Sequence, residues 1–289
     1  MGPSGARRRP AMGGVIALSS VTPADWARAW TAARAANPLV YTITNFVAAP
    51  LQANITLAAG GRPLMSRNIH EAGELAARAP VLVVNTGTPD SEGDGAIRRA
   101  MERSPMILLD PVGYGASSYR RAMVDGLLRD FHVSVIKGNW AEVCLLAGME
   151  VPADGVDAPG GNSACDVPKA VRTLAERTDA LVCATGARDY VSDGRSVLSF
   201  SGGSALMATI SGGGCALGSL MATLAAGSGS VVAGCTAAIG ALRLAAERAE
   251  ARSAGPGTFQ AALVDELYVL SGRDFLLNEN QAWVRGEGL

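Results

Sequence analysis

Six short apolar runs recur along the chain, each ending in a polar or glycine-rich turn. The runs over 39–43, 81–85, 106–110, 133–137, 180–185 and 196–200 have the length and composition of buried strands. Helix-like spacing fills 26–36, 47–59, 69–79, 94–103, 120–129, 141–147 and 167–177. A chain that alternates in this way predicts an α/β fold: a central, mostly parallel sheet with helices on both faces. After residue 200 the pattern changes to three consecutive Ala- and Gly-rich helices, 215–226, 230–252 and 256–270, enough to cover one face of the sheet. No linker and no internal repeat divide the chain. One domain is expected over 21–289, preceded by a disordered tail over 1–20, with Met12 as an alternative first residue. The turn over 151–166 reads as an exposed loop.

Charge and composition exclude several classes. The 289 residues carry a net charge of -1, so neither nucleic acid nor an anionic membrane is expected as a partner. No apolar run approaches a membrane span. No Gly-Lys-Ser/Thr occurs, which excludes a P-loop. Five cysteines without a CxxC pair, and only two histidines, argue against zinc. Their odd number predicts reduced thiols in a cytoplasm, most of them buried as small apolar side chains.

The chemistry gathers where strands end, because ligands of an open parallel sheet bind beyond the strands' carboxyl ends. In "MILLDPVGYGAS" Asp110 follows an apolar strand, and Pro111 forces an extended turn. A carboxylate there can hold Mg²⁺, or simply make a turn. In "VIKGNWAEVCLLAG" Asn139 stands as a helix cap with Glu142 three residues on. That spacing reads either as a capping box or as a second carboxylate facing the same crevice. "VCATGARDYVSDG" places Thr185 and Gly186 at another strand end, suited to phosphate or to an ordinary hairpin turn. Finally, "ISGGGCALGSLMATLAA" sets Gly212, Gly213 and Gly214 before Cys215 and a helix. Glycines let backbone N–H groups converge, and a helix N-terminus favours negative charge. The same field predicts a lowered pKa for Cys215.

Taken together, "NPLVYTITNFVAAPLQANITLAAGGRPLMS", "VLVVNTGTP", "ILLDPVGYGAS", "VIKGNWAEVCLLAG", "ATGARDYVSDG", "GGGCALGS" and "ARSAGPGTF" resemble the hydroxyethylthiazole kinases, thiamine-salvage enzymes of the ribokinase-like superfamily, over about residues 37–270. The resemblance implies transfer of the ATP γ-phosphate to the primary alcohol of 4-methyl-5-(2-hydroxyethyl)thiazole. It implies Cys215 in the base position, with Gly212, Gly213 and Gly214 forming the anion hole. Asn45, Met65 and Gly212 would line the thiazole site, and Lys137, Asn139 and Thr185 would meet ATP. Asp110 and Glu142 would serve Mg²⁺. It also implies a homotrimer with active sites between subunits. Four residues depart from the family pattern: Gly213 for Thr, Lys137 for Arg, Trp140 for a small residue, and Tyr41 for His. They leave open a ribokinase-like kinase for another small alcohol, such as a hydroxymethylpyrimidine, or a nucleotide-binding protein without turnover.

Overall fold

The central strands feed two apolar faces at once, and that sets the architecture. The computed structural model describes residues 16–151 and 165–277. Strands β1 (Leu39–Ile43), β2 (Arg62–Met65), β3 (Val81–Asn85), β4 (Ile107–Asp110), β5 (Val135–Asn139), β6 (Leu181–Thr185), β7 (Asp189–Ser192) and β8 (Val197–Phe200) form one sheet. Their order is β2-β1-β3-β4-β5-β6-β7-β8. The first six run parallel, and β7 and β8 add to the edge antiparallel.

The helices are α1 (Pro23–Ala36), α2 (Ala49–Ala58), α3 (Ala72–Arg78), α4 (Ser91–Met101), α5 (Ser118–Asp130), α6 (Trp140–Leu146), α7 (Val167–Thr178), α8 (Gly213–Ser228), α9 (Val231–Glu250), α10 (Pro256–Val269) and α11 (Gly272–Leu277). On one face Trp30, Ile55, Leu220, Ile239 and Phe259 pack with Val40, Val83, Leu108 and Val135. On the other, Ala76, Ile97, Leu127, Val143 and Leu174 pack with Tyr41, Leu82, Leu109 and Ile136. Neighbouring strand residues thus alternate between two dry faces, which is why the runs read as uninterrupted apolar sequence. Four helices after β8 cover the first face together with α1 and α2: the three that composition predicts, and α11, which adds Phe275.

Local rules fix several helix ends. Thr22 and Asp25 form a capping box ahead of Pro23 at the first turn of α1, and Asn37 closes the helix at φ 46°. Two strands escape the sequence pattern. β2 contains Pro63 and lies at the sheet edge, where a missing N–H is tolerated. β7 is a four-residue return strand that opens on Asp189.

Two expectations are corrected. Residues 18–20, assigned to the tail, form a 3₁₀ turn whose Leu18 is fully buried in the core. Residues 1–15 of that tail and 152–164 of the expected loop lie outside the described residues. The five thiols are not all reduced. Cys144 of α6 and Cys165, just before α7, are joined in a disulfide with Cα atoms 6.5 Å apart. Their buried positions bring two helices of the same face together, which sequence spacing alone does not reveal. Cys183, Cys215 and Cys235 are free.

Candidate active site

The parallel register lines up the polar residues. Asn85 ends β3 opposite Asp110 at the end of β4. Asn139 ends β5 opposite Thr185 at the end of β6. Asn45 follows β1, and Met65 ends β2. The row from β2 to β6 spans five strand spacings, roughly 24 Å at about 4.8 Å each.

At the centre of this row, hydrogen-bond directions are fixed by backbone donors. The Ala48 N–H donates to Asn45 Oδ1 at 2.9 Å, so the Asn45 amide nitrogen turns toward Asn85 Oδ1, 2.8 Å away. The Gly87 N–H also donates to Asn85 Oδ1, at 3.0 Å. Asn85 Nδ2 must therefore face Asp110, and it donates to Oδ2 at 2.9 Å. Lys137 Nζ donates to the same Oδ2 at 3.1 Å. Asp110 Oδ1 is left buried without a hydrogen-bond partner. A buried acceptor in that condition is costly, which marks it as open to a ligand.

The first turn of α8 lies over this cluster. Gly212 caps the helix at φ 80°, and a Cβ there would lie 2.9 Å from Ala48 Cα, so glycine is required for both reasons. The helix starts two residues earlier than its apolar spacing suggests, which places Cys215 at its third position. A Cβ on Gly214 would lie 3.9 Å from Lys137 Nζ, so the first turn faces the ammonium. Gln52 of α2 donates to the Cys215 carbonyl at 3.2 Å and accepts from the Thr44 hydroxyl at 2.6 Å. Asp110, Asn85 and Asn45 all lie near enough to the Cys215 thiol to influence its titration. Gly213 has its own local reason: a Cβ would press on the Met207 carbonyl at 3.0 Å.

The electrostatics correct one expectation. Burial and the nearby Asp110 charge raise the Cys215 pKa above the ordinary thiol value, outweighing Lys137 and the two asparagines. The helix N-terminus does not win there, because a half-buried thiolate would lose its hydration beside a carboxylate. Burial works against the Lys137 ammonium, yet the charges of Asp110, Cys215 and Glu142 hold its pKa above the usual lysine value. Burial raises Asp110 in spite of Lys137 and Asn85. The ammonium is the firmly charged member of this pair.

Glu142 is both a cap and a tie. Asn139 Oδ1 accepts from the Glu142 N–H at 2.8 Å, and Glu142 Oε2 accepts from the Asn139 N–H at 2.8 Å, a reciprocal capping box. Its Oε1 accepts from the Gly113 N–H in the turn after β4, at 2.8 Å. Burial and then the Asp110 charge raise its pKa. The two carboxylates therefore sense each other. Among the described residues no group of three His, Cys, Asp or Glu could hold a metal. Mg²⁺ needs only one or two carboxylates when water and phosphate complete its shell, so the orphaned Asp110 Oδ1 beside Glu142 fits that cation.

The remaining expected residues lie farther out. Thr185 spends its hydroxyl proton on the Gly138 carbonyl at 3.1 Å. Asn139 is exposed at the cap of α6. Met65 is half-buried at the sheet edge, three strands from Asp110. Tyr41 is fully buried and donates to the Ser66 carbonyl at 3.1 Å, so it holds the chain after β2. Asn85 and Gln52 were not anticipated as site residues. Asn85 had a readable signal, since it ends an apolar strand in the same way as Asp110. Gln52 sits within an apolar helix and had none.

Comparison with known proteins gives the class first. A ribokinase-like superfamily protein from Enterococcus faecalis V583 matches 93% of this chain and 91% of its own, with TM-score 0.55 and 12% identity, a likeness of fold alone. Fold and sequence together define a ribokinase-like kinase. The model of the Hydroxyethylthiazole kinase family matches residues 31–273, and the chain belongs to that family. A hydroxyethylthiazole kinase from Methanocella arvoryzae is 38% identical over 252 residues, covering 86% of this chain and 94% of the relative. The solved hydroxyethylthiazole kinase from Pyrococcus horikoshii OT3 superposes with TM-score 0.77 at 32% identity, over 85% of this chain and 93% of its own.

Proposed function

We propose that this single-domain chain transfers the γ-phosphoryl group of ATP to the primary alcohol of 4-methyl-5-(2-hydroxyethyl)thiazole, a step in thiamine salvage. The observation that carries the reading is the convergence of Asp110, Lys137 and Cys215 under the first turn of α8. The unsatisfied N–H groups of that turn and the Lys137 ammonium stabilise charge on the moving phosphoryl group. Mg²⁺, held by Asp110 and Glu142, would neutralise phosphate charge when bound.

Cys215 orients the alcohol. As the alcohol oxygen bonds to the γ-phosphorus and the bond to the leaving ADP breaks, the alcohol proton passes to sulfur. The thiol proton passes in turn to solvent at this half-buried side chain, and Asp110 stays ionised for Mg²⁺. No free thiolate is needed, which suits the raised Cys215 pKa. Most of the acceleration then comes from positioning and charge stabilisation. Gly212 and Asn45 stand on the thiazole side with Met65, while Asn139 and Thr185 stand on the ATP side.

The cytoplasm supplies the ATP, and among the described residues no helix is long and apolar enough to cross a membrane. A homotrimer is supported by Phe46 and Val47, which follow Asn45 and expose 75% and 63% of their surface. A neighbouring subunit would cover them. The test is ATP consumption with Mg²⁺ over a panel of small alcohols, with product mass as readout. The thiazole alcohol should give its phosphate at the highest kcat/KM. Product from a pyrimidine alcohol alone, or ATP binding without any product, would overturn the reading.

A further inference from the structure

The turn between β6 and β7 is clamped from two sides. On one side Trp140, the first residue of α6, lays its ring on Gly186. A Cβ at Gly186 would lie 2.5 Å from Trp140 Cε2. The indole Nε1–H donates to the Arg188 carbonyl at 2.8 Å. The ring also meets Tyr190 of β7 at a centroid distance of 6.3 Å and a tilt of 48°. On the other side Arg243 of α9 donates to Asp189 Oδ2 at 2.8 Å and to the Gly186 carbonyl at 3.2 Å. Asp189 Oδ1 accepts from the Gly186 N–H at 3.0 Å. The turn therefore has its backbone held at Gly186 and Arg188 and its acidic side chain neutralised.

Trp140 joins two pieces of the site. It follows Asn139, the cap of α6, and its ring covers Gly186, which follows Thr185. Asn139 and Thr185 are register partners across β5 and β6. We infer that Trp140 is a positioning residue for the nucleotide, locking the Thr185–Gly186 turn to the N-terminal end of α6 before ATP arrives. A preformed frame removes the cost of ordering the turn on binding. That advantage is equal in the ground state and the transition state, so it appears in the KM for ATP and not in kcat. A small residue at 140 would leave Gly186 uncovered and Arg188 without its indole donor.

This inference rests on the kinase reading, and the experiment separates the two. Wild type, Trp140→Ala and Trp140→Phe are compared for both KM values and kcat, and for calorimetric binding of a non-hydrolysable ATP analogue. Trp140→Ala should raise the KM for ATP and weaken analogue binding about tenfold, with kcat and the KM for the alcohol within about threefold. Trp140→Phe keeps a ring over Gly186 without the N–H and should fall between. Should Trp140→Ala fail to fold, Trp140→Phe decides by the same readouts. An active wild type whose variants keep the ATP KM, or lose kcat and alcohol binding to the same degree, overturns the inference. An inactive wild type overturns the kinase reading instead.

Discussion

The Lys137 ammonium meets Asp110 Oδ2 at 3.1 Å with both side chains almost wholly buried. Two charges are thus kept out of water between the carboxyl end of β4 and the middle of β5. Such a pair is weak evidence for stability, but breaking it leaves a lone buried charge. Lys137→Met should lower stability by about 3–5 kcal/mol in denaturant melts. The double variant Lys137→Met/Asp110→Asn should recover much of that stability while remaining inactive. Recovery of turnover in the double variant would show that the pair is structural only.

Asn85 passes the orientation of two backbone N–H groups to Asp110. Asn85→Leu should lower kcat about 10–100-fold, because the carboxylate loses one of its two donors and misplacement is expensive. The KM for ATP should stay within a few-fold. Asn85→Asp should be worse, since its carboxylate adds a like charge beside Asp110. Steady-state kinetics with a melting-temperature control checks both.

Cys215 should react as a neutral thiol. Its pKa is raised by burial and by Asp110, so the thiolate fraction is small at neutral pH and grows only as pH rises past the ordinary thiol range. Alkylation by iodoacetamide, followed by peptide mass, should be slower at neutral pH than for a free thiol. In Asp110→Asn the rise should move to lower pH. Cys215→Ala should keep both KM values and lose about 10²–10³ in kcat. Rapid alkylation of the wild type at pH 6 would contradict the raised pKa.

The disulfide closes a loop with a sequence separation of 21 between Cys144 and Cys165. Constraining a loop of this length in the unfolded chain is worth about 3 kcal/mol. Denaturant unfolding with and without a reductant should differ by about that amount. Equal midpoints would mean that the bond carries no net stability.

The legible part of the molecule was the part governed by short-range rules. Alternating apolar runs gave the parallel sheet, and the Asn139–Glu142 spacing gave the cap. Asp110, Glu142 and Cys215 were visible because each follows a strand or opens a helix. The rest depends on contacts distant in sequence. Asn85 matters through a register partner 25 residues on, and Gln52 through a carbonyl 163 residues away. The Cys215 pKa went the other way because desolvation and Asp110, both set by tertiary packing, outweigh the local helix end. β2 was hidden because Pro63 breaks its four-residue run, and only its edge position makes the missing N–H tolerable.

The most direct test of the central claim is Mg²⁺-dependent formation of the thiazole phosphate by the wild type beside Asp110→Asn. The wild type should form one phosphorylated alcohol per ADP. Turnover should fall about 10³-fold or more in Asp110→Asn, with binding of the alcohol retained. Wild-type turnover in Asp110→Asn would contradict the placement of phosphoryl transfer at this cluster.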